Sequence, residues 1–222
     1  MPPDGYLQGL RSLCDKYGIL LICDEVMAGF GRTGKMFGFQ NWDIKPDIIS
    51  FAKGVTCGYV QLGGIIISKD IADYFENNTF LYGLTYSGHS LACAAGVACV
   101  NYYSEYHILD NVNKVGKVFG KLLEDIKTKH KCVGDVRYIG LFGAVELMKD
   151  RDKKIPLVPY GYDEHSLMKK IHFLLKERGF SAFGRENNIN ITPPLIITEK
   201  ELKDAFAILD EVLTIVDETM LN

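Results

Sequence analysis

The strongest constraint on the fold comes from two short apolar runs, 19–23 and 48–51, each followed by charged and glycine-rich sequence. Apolar runs of this length, bounded by turn signals, are typical of strands buried on both faces of a parallel sheet. The first run leads into Asp24 and Glu25, and the second leads into Lys53. Because ligands of open α/β sheets bind at the carboxyl ends of the strands, we expect the acid and the lysine to meet at one sheet edge.

Composition and charge exclude several classes of function. Of the 222 residues, 47% are hydrophobic and 24% are charged, which is ordinary for a globular protein. The net charge of −3 gives no reason to expect nucleic acid or an anionic membrane as a partner. No apolar run approaches the roughly 20 residues that span a bilayer. We expect a cytoplasmic protein, or a mitochondrial one if a longer N-terminus carries a targeting signal.

The six cysteines predict no metal site. None of them forms a C-x-x-C pair, and none has a histidine neighbour at metal-ligand spacing. Reduced thiols that act as small hydrophobic side chains are the ordinary interpretation of such scattered cysteines.

Hydrophobic periodicity predicts two domains, 1–110 and 111–222, of which the first is α/β and the second α+β. Helices are predicted over 5–17, 69–76, 88–103, 108–129, 165–178 and 199–218. Strands are predicted over 19–23, 47–51, 65–68, 133–138, 141–147, 180–183 and 189–192.

One glycine motif is misleading. Gly29, Gly31 and Gly34 match the G-x-G-x-x-G pattern of dinucleotide-binding turns, which must run directly into a helix that binds the pyrophosphate. Here the following sequence contains Trp42 and Pro46 and has no helical period. We therefore do not expect a Rossmann site.

A lysine and an aspartate at one sheet edge have two interpretations. They form a structural ion pair, or they bind a cofactor. A buried lysine loses its proton more readily and can form a Schiff base with an aldehyde, while a buried aspartate requires a cationic partner. Pyridoxal phosphate has an aldehyde, a pyridinium nitrogen, and a phosphate that suits a helix N-terminus. Thr85 and Ser87 precede the helix over 88–103, where their hydroxyls can cap it or hold an anion.

Four segments resemble the class III pyridoxal-phosphate aminotransferases, in particular the ω-amino acid and amine:pyruvate group. They read ICDEVMAGFGRTGKMFGFQ, DIKPDIISFAKGVTCGYVQLGG, LTYSGHSLACAAG and NITPPLIIT, and their order and spacing agree with the family. The resemblance implies the C-terminal part of a fold-type I transferase, namely a partial large α/β domain with a parallel-rich sheet and a small α+β domain. The expected domain limits are 1–110 and 111–222.

The resemblance also implies roles for individual residues. Asp24 matches the aspartate that binds the pyridine nitrogen, and Val26 matches the residue packed on one ring face. Met27 replaces a glutamine of the ornithine-like branch beside the cofactor. Lys53 matches the Schiff-base lysine. Thr85 matches a threonine that reaches the cofactor phosphate of the partner subunit in a dimer.

The activity implied is transfer of an amino group between an amino acid or amine and a 2-oxo acid. Arg185, upstream of the Pro-Pro motif, matches a carboxylate-binding arginine, although its spacing to Pro193 is shorter than in several relatives. Family members carry a long N-terminal part before the position of Pro2, so we expect a truncated chain with exposed apolar surface. A homodimer, or pairing with a full-length homologue, is the expected assembly.

Two alternative functions stay open at this point. One is different chemistry on the same fold, as in an aminomutase or a decarboxylase. The other is a non-catalytic fragment or subunit that lends Thr85 and its dimer surface to a full-length partner.

Overall fold

The computed structural model describes residues 1–159, 161 and 167–221. The chain forms two compact units, Met1–Asp110 and Asn111–Asn222. The interpretation of these units as part of a large cofactor-binding domain and as a small domain stays a prediction.

The helices and strands of the first unit lie within two residues of their predicted limits, except that the first strand begins at Ile22, three residues after its predicted start at Ile19. Its elements are α1 (Tyr6–Tyr17), β1 (Ile22–Asp24), β2 (Ile48–Phe51), β3 (Gly64–Ile67), α2 (Lys69–Glu76) and α3 (Ser90–Glu105). Short 3-10 turns occupy Gly38–Trp42 and Lys53–Val55. Gly18 ends α1 at φ 63°, a left-handed conformation that glycine adopts without steric cost.

The sheet of this unit has the order β1-β2-β3. Strands β1 and β2 are parallel, with Ile22 opposite Ile48 and Asp24 opposite Ser50, as the sequence predicts. The third strand runs antiparallel to β2, with Phe51 opposite Gly64. The parallel pair brings the chain ends after Asp24 and Phe51 to the same side of the sheet.

The prediction that the first strand is buried on both faces is wrong. Leu21 and Cys23 turn inward, and Leu21 packs with Cys14 and Ile44 in the core of this unit. Ile22 on the opposite face is 59% exposed, and Ile65 of β3 is 60% exposed. The reason is that, among the described residues of this unit, nothing covers that face. The expected exposed apolar surface is confirmed.

The segment after β1 does not form a dinucleotide-binding turn. A series of turns and the 3-10 turn Gly38–Trp42 separate β1 from β2, and no α-helix follows the glycine motif. The prediction that the glycine motif does not run directly into a helix is therefore confirmed, and such a helix is what binds the pyrophosphate in a dinucleotide site.

The second unit is α+β, as predicted. Its elements are α4 (Ile108–Lys129), β4 (Val133–Ile139), β5 (Phe142–Asp150), β6 (Ile155–Pro156), α5 (Leu167–Glu177), β7 (Phe183–Arg185), β8 (Asn188–Ile191) and α6 (Glu199–Thr219). Its antiparallel sheet has the order β4-β5-β8-β7, and β6 pairs with β5. Of the helix predicted over 165–178, His165 and Ser166 lie outside the described residues.

The strand predicted over 180–183 is displaced. Gly179 adopts φ 85°, and the amide of Phe180 still bonds to the carbonyl of Leu175 at 2.9 Å. The chain therefore leaves α5 late, and β7 begins only at Phe183, where Asn190 lies opposite it. The β6 strand was not predicted.

Amphipathic helices supply the core of the second unit. Val112, Phe119 and Leu123 of α4 are fully buried, as the helical spacing predicts. Thr198 caps α6, because its hydroxyl accepts the amide of Glu201 at 3.2 Å and the Glu201 carboxylate accepts the amide of Thr198 at 2.8 Å. In the part of the chain that the structure describes, no helix has the length and apolarity needed to cross a membrane.

An arginine side chain binds backbone carbonyl oxygens at and just after the end of α4. The Nη2 atom of Arg151 donates to the carbonyl oxygens of Lys127 at 2.9 Å, His130 at 2.8 Å and Val133. A cation at the end of α4 is favourable, because the last turn of a helix leaves carbonyls such as that of Lys127 without intrahelical partners.

Candidate active site at the ends of the parallel strands

Asp24 and Lys53 lie at the same edge of the first sheet. Asp24 is the last residue of β1 and lies in register with Ser50 of β2. Lys53 follows the end of β2 at Phe51 by two residues and begins a 3-10 turn. The expected meeting of the two groups at the carboxyl ends of parallel strands is therefore confirmed.

Lys53 has an unusual backbone and an uncharged partner. Its φ is 47°, in the left-handed region that non-glycine residues seldom adopt. Its Nζ atom donates to the Sδ atom of Met27. The side chain is exposed, so the prediction of a buried lysine is wrong for this unit.

Asp24 is exposed as well, contrary to the prediction of a buried aspartate. Its Oδ1 atom accepts the backbone amide of Val26 at 3.0 Å, which fixes the carboxylate by a local turn. The ion pairs among the described residues include neither Asp24 nor Lys53. The interpretation as a structural ion pair is therefore wrong.

The buried acid at this edge is Glu25, whose anchoring role was not predicted. It is 3% exposed, and its two carboxylate oxygens accept the amides of Gly38 at 2.7 Å and Phe39 at 2.8 Å. The alternation of Leu21, Cys23 and Glu25 along one strand face is the signal that could have revealed it. Glu25 ties the start of the 3-10 turn Gly38–Trp42 to the end of β1.

A cavity of about 420 Å³ lies beside Lys53. Its lining consists of Ala52, Lys53, Thr56, Gly58, Val60, Gln61, Leu62 and Gly63. Another cavity of about 450 Å³ includes Arg11 and Asp47, which form an ion pair at 2.7 Å. Because Asp47 precedes β2, that cavity lies at the opposite end of the strand, and its lining contains neither Asp24 nor Lys53.

Thr85 lies in an exposed turn before α3. It does not cap the helix, and neither does Ser87. The cap is His89, whose Nδ1 atom accepts the amide of Ala92 at 3.5 Å. The Ser87 hydroxyl instead accepts the amide of Leu84 at 3.3 Å, which stabilises the turn. The capping interpretation of Thr85 and Ser87 is therefore wrong.

Arg185 belongs to the second unit. It ends β7 with a side chain that is 82% exposed, and its Nε atom lies 3.9 Å from Glu186. With this long contact to the half-buried Glu186 and an exposed side chain of its own, Arg185 keeps its guanidinium accessible to solvent.

The groups at the strand ends suit an aldehyde-containing aromatic cofactor. Lys53 offers an amine with an uncharged neighbour, Asp24 offers a carboxylate oriented by the backbone, and the cavity beside Lys53 offers space. Among residues 1–159, 161 and 167–221, no group of three or more histidine, cysteine or acidic side chains could hold a metal ion.

Comparison with known proteins agrees with this chemistry. A family model described as aminotransferase class-III matches residues 1–213. Adenosylmethionine-8-amino-7-oxononanoate aminotransferase of Staphylococcus aureus is 38% identical over 206 residues, covering 90% of this chain and 44% of that protein. Taurine–pyruvate aminotransferase of Bilophila wadsworthia is 33% identical, covering 98% of this chain and 49% of that protein.

A solved structure is more similar still. Taurine:2-oxoglutarate aminotransferase from Bifidobacterium kashiwanohense, in complex with pyridoxal phosphate and glutamate, is 56% identical with a TM-score of 0.96. The similarity covers 99% of this chain and 49% of that one. The chain thus spans about half the length of the relatives that it matches.

Proposed function

This chain belongs to the class III aminotransferases, a family of fold-type I enzymes, and from that premise we propose that it forms part of a pyridoxal-phosphate enzyme that transfers amino groups. The reaction moves an amino group between an amino acid or amine and a 2-oxo acid. The observation that carries the proposal is the placement of Asp24 and Lys53 at the ends of two neighbouring parallel strands.

When bound, pyridoxal phosphate supplies an aldehyde for a Schiff base with Lys53 and a ring that draws electrons from the α-carbon of the substrate. Asp24 would accept a hydrogen bond from the protonated nitrogen of that ring, since the amide of Val26 already orients its carboxylate at 3.0 Å. The Val26 side chain would pack on one ring face. These residues bind and orient the cofactor.

In this proposal, Lys53 holds and moves the proton of the substrate α-carbon. Its neighbour, the thioether of Met27, is uncharged and accepts hydrogen bonds weakly, so the amine is not held in an ion pair. The Lys53 amine, at the end of β2, would serve as the general base that takes a proton from the substrate α-carbon. Met27 thus lies beside the Lys53 amine, on the side where the cofactor would bind.

Two further residues carry proposed roles. Thr85 would contribute its hydroxyl to the cofactor phosphate of a partner subunit in a homodimer, which suits its exposed turn. Arg185 binds a substrate carboxylate, for which its planar guanidinium is suited and its exposure leaves it accessible.

The proposed donor is a small ω-amino compound, and taurine with 2-oxoglutarate is the first pair to test. The support is the 56% identity to a taurine:2-oxoglutarate aminotransferase, which exceeds the 38% identity to the Staphylococcus aureus relative.

The test is capture of the cofactor on Lys53. The purified chain is mixed with pyridoxal phosphate and reduced with borohydride, and the modified lysines are located by mass spectrometry. We expect one stoichiometric adduct, at Lys53. Lys53→Arg keeps the charge but removes the reactive amine, while Lys69→Ala is a matched control on an exposed surface pair with Asp73.

An adduct spread over many lysines, or one retained in Lys53→Arg, contradicts the proposal. Addition of one amino donor at a time to the loaded chain, taurine in one sample and glutamate in another, then tests the reaction class. Conversion of the cofactor to its amine form by either donor indicates transamination, whereas release of CO₂ from glutamate indicates a decarboxylase.

A further inference from the structure

The turn that carries Lys53 begins and ends with a residue in a strained backbone conformation. Lys53 has φ 47° and Cys57 has φ 51°, and both are non-glycine residues in the left-handed region. Within the turn, the amide of Thr56 bonds to the carbonyl of Lys53 at 3.2 Å. Such conformations persist only where the surrounding structure enforces them, and they concentrate at functional sites. The turn therefore needs an external support.

Tyr103 of α3 makes the contacts that can supply this support. Its hydroxyl donates to the carbonyl oxygen of Gly54 at 3.3 Å and lies 3.6 Å from the Sγ atom of Cys57. Its side chain is 6% exposed. Burial, with a smaller contribution from Cys57, raises the pKa of the Tyr103 hydroxyl above its ordinary value, so the group stays a donor at neutral pH.

The ring of Tyr103 is itself fixed by packing. Its centroid lies 6.3 Å from that of Phe30, and Phe30 also fills the space beside Gly54, where an added Cβ would lie 2.6 Å from the Phe30 Cβ. Gly96, seven residues before Tyr103 on α3, lets the helix pack closely here, since an added Cβ would lie 2.9 Å from the Leu62 Cδ2 and 3.7 Å from the Val55 Cγ2. One face of α3 thus packs against the turn.

We propose that Tyr103 is the positioning residue of Lys53. The Tyr103 hydroxyl holds the carbonyl of Gly54, the residue after Lys53, and thereby fixes the direction in which the Lys53 amine leaves the end of β2. This inference rests on the proposed function for its chemical meaning. The contacts that carry it belong to this chain and do not depend on a bound cofactor.

The test compares Tyr103→Phe with Tyr102→Phe in the full chain. The first variant removes only the hydroxyl, while the second is a matched control, because Tyr102 is 46% exposed and stacks on Tyr106 at 4.1 Å. The first measurement is hydrogen–deuterium exchange of residues 53–57 without cofactor. We expect roughly three- to tenfold faster exchange in Tyr103→Phe, as for loss of one hydrogen bond, and no change in the control.

The second measurement is the pH profile of borohydride-trapped pyridoxal phosphate at Lys53. We expect trapping to be roughly three- to tenfold slower in Tyr103→Phe at neutral pH, with a displaced midpoint. A loss of packing alone would not displace that midpoint. If Tyr103→Phe fails to fold, 4-fluorophenylalanine at position 103 fills the space of the hydroxyl without donating.

Wild-type exchange and an unchanged pH profile in both Tyr103 variants would overturn the positioning role. If wild-type Lys53 traps no cofactor, the proposed function fails, while the exchange of residues 53–57 still decides whether Tyr103 supports the turn. The two failures are therefore distinguishable.

Discussion

The Oε2 atom of Glu25 accepts a hydrogen bond from the backbone amide of Gly38 at 2.7 Å. Glu25 is buried inside the first unit, with 3% of its surface exposed to solvent. Its neighbour Asp24 lies on the other face of the strand and is exposed. Successive residues of a strand point to opposite faces, so one acid anchors the loop while the other faces the proposed site.

Glu25→Ala is expected to destabilise the chain by roughly 2–4 kcal/mol, because it leaves the buried amides of Gly38 and Phe39 without acceptors. Urea unfolding measures the change. Glu25→Gln retains one acceptor oxygen and should lie between the alanine variant and the wild type. Asp24→Asn, on the exposed face, should change the unfolding free energy by less than about 0.5 kcal/mol. Equal effects at both positions would contradict the anchoring role of Glu25.

Two glycine substitutions should change the free energy of unfolding in opposite directions. Gly54→Ala places a Cβ 2.6 Å from the Phe30 Cβ, and such overpacking typically costs about 1–3 kcal/mol. Gly9→Ala lies inside α1 with nothing within 4 Å of the new Cβ, so it should stabilise the chain by roughly 0.5–1 kcal/mol. Thermal unfolding of both variants is the check, and a stabilising Gly54→Ala would show that the turn relaxes freely.

Asp217 makes stability sensitive to acid. It accepts the amide of Cys132 at 2.7 Å and contacts Nδ1 of His130 at 2.9 Å. Partial burial raises the pKa of Asp217, but the hydrogen bonds from Cys132 and the contact with His130 outweigh it, so the pKa lies below its ordinary value. The stabilisation is therefore full above the unfolded-state pKa of about 4 and is lost as pH falls through the lower folded-state pKa.

Asp217→Asn should reduce the unfolding free energy by roughly 1–3 kcal/mol at neutral pH and by progressively less below about pH 4. The measurement is urea unfolding between about pH 2 and pH 7. Glu218→Gln, an exposed neighbour, is the control and should follow the wild type. A difference between Asp217→Asn and wild type that stays constant with pH would refute the linkage.

Cys99, near the proposed site, should react more slowly with alkylating reagents than Cys93. Burial, together with a hydrogen bond that the Cys99 thiol donates to Cys57, raises the pKa of the Cys99 thiol to about 11. At pH 8 only about a thousandth of such a thiol is the reactive thiolate. Iodoacetamide should therefore label the exposed Cys93 well before Cys99, as followed by peptide mass spectrometry. In urea the two rates should converge, and early labelling of Cys99 in the folded chain would contradict the expectation.

The sequence predicted best where a helix carries its own signal. The bounds of α4, Ile108–Lys129, follow directly from the spacing of apolar residues such as Phe119 and Leu123. The start of β7 at Phe183 could not be found in this way, because it depends on the pairing of Phe183 with Asn190 and on the late exit from α5. Strand limits are decided by the partner strand rather than by local sequence.

The candidate site was predicted in part for a similar reason. The meeting of Asp24 and Lys53 follows from two parallel strands, which the apolar runs reveal. The exposure of both side chains depends on what covers the sheet, and their contacts to Val26 and Met27 depend on turn geometry after each strand. The His89 cap of α3 was missed because histidine is an uncommon capping residue. The roles of Asp24, Val26, Met27, Lys53, Thr85 and Arg185 stay predictions.

The three carbonyls that Arg151 binds imply an order of events during folding. The arginine lies more than twenty residues after Lys127 and reaches the end of α4 only once β4 and β5 have paired. Until that hairpin closes, the Lys127 carbonyl in the last turn of the helix lacks the donor that Arg151 provides and bonds to water instead. Substitution of Arg151 should therefore speed unfolding more than it slows folding, since its contacts form late.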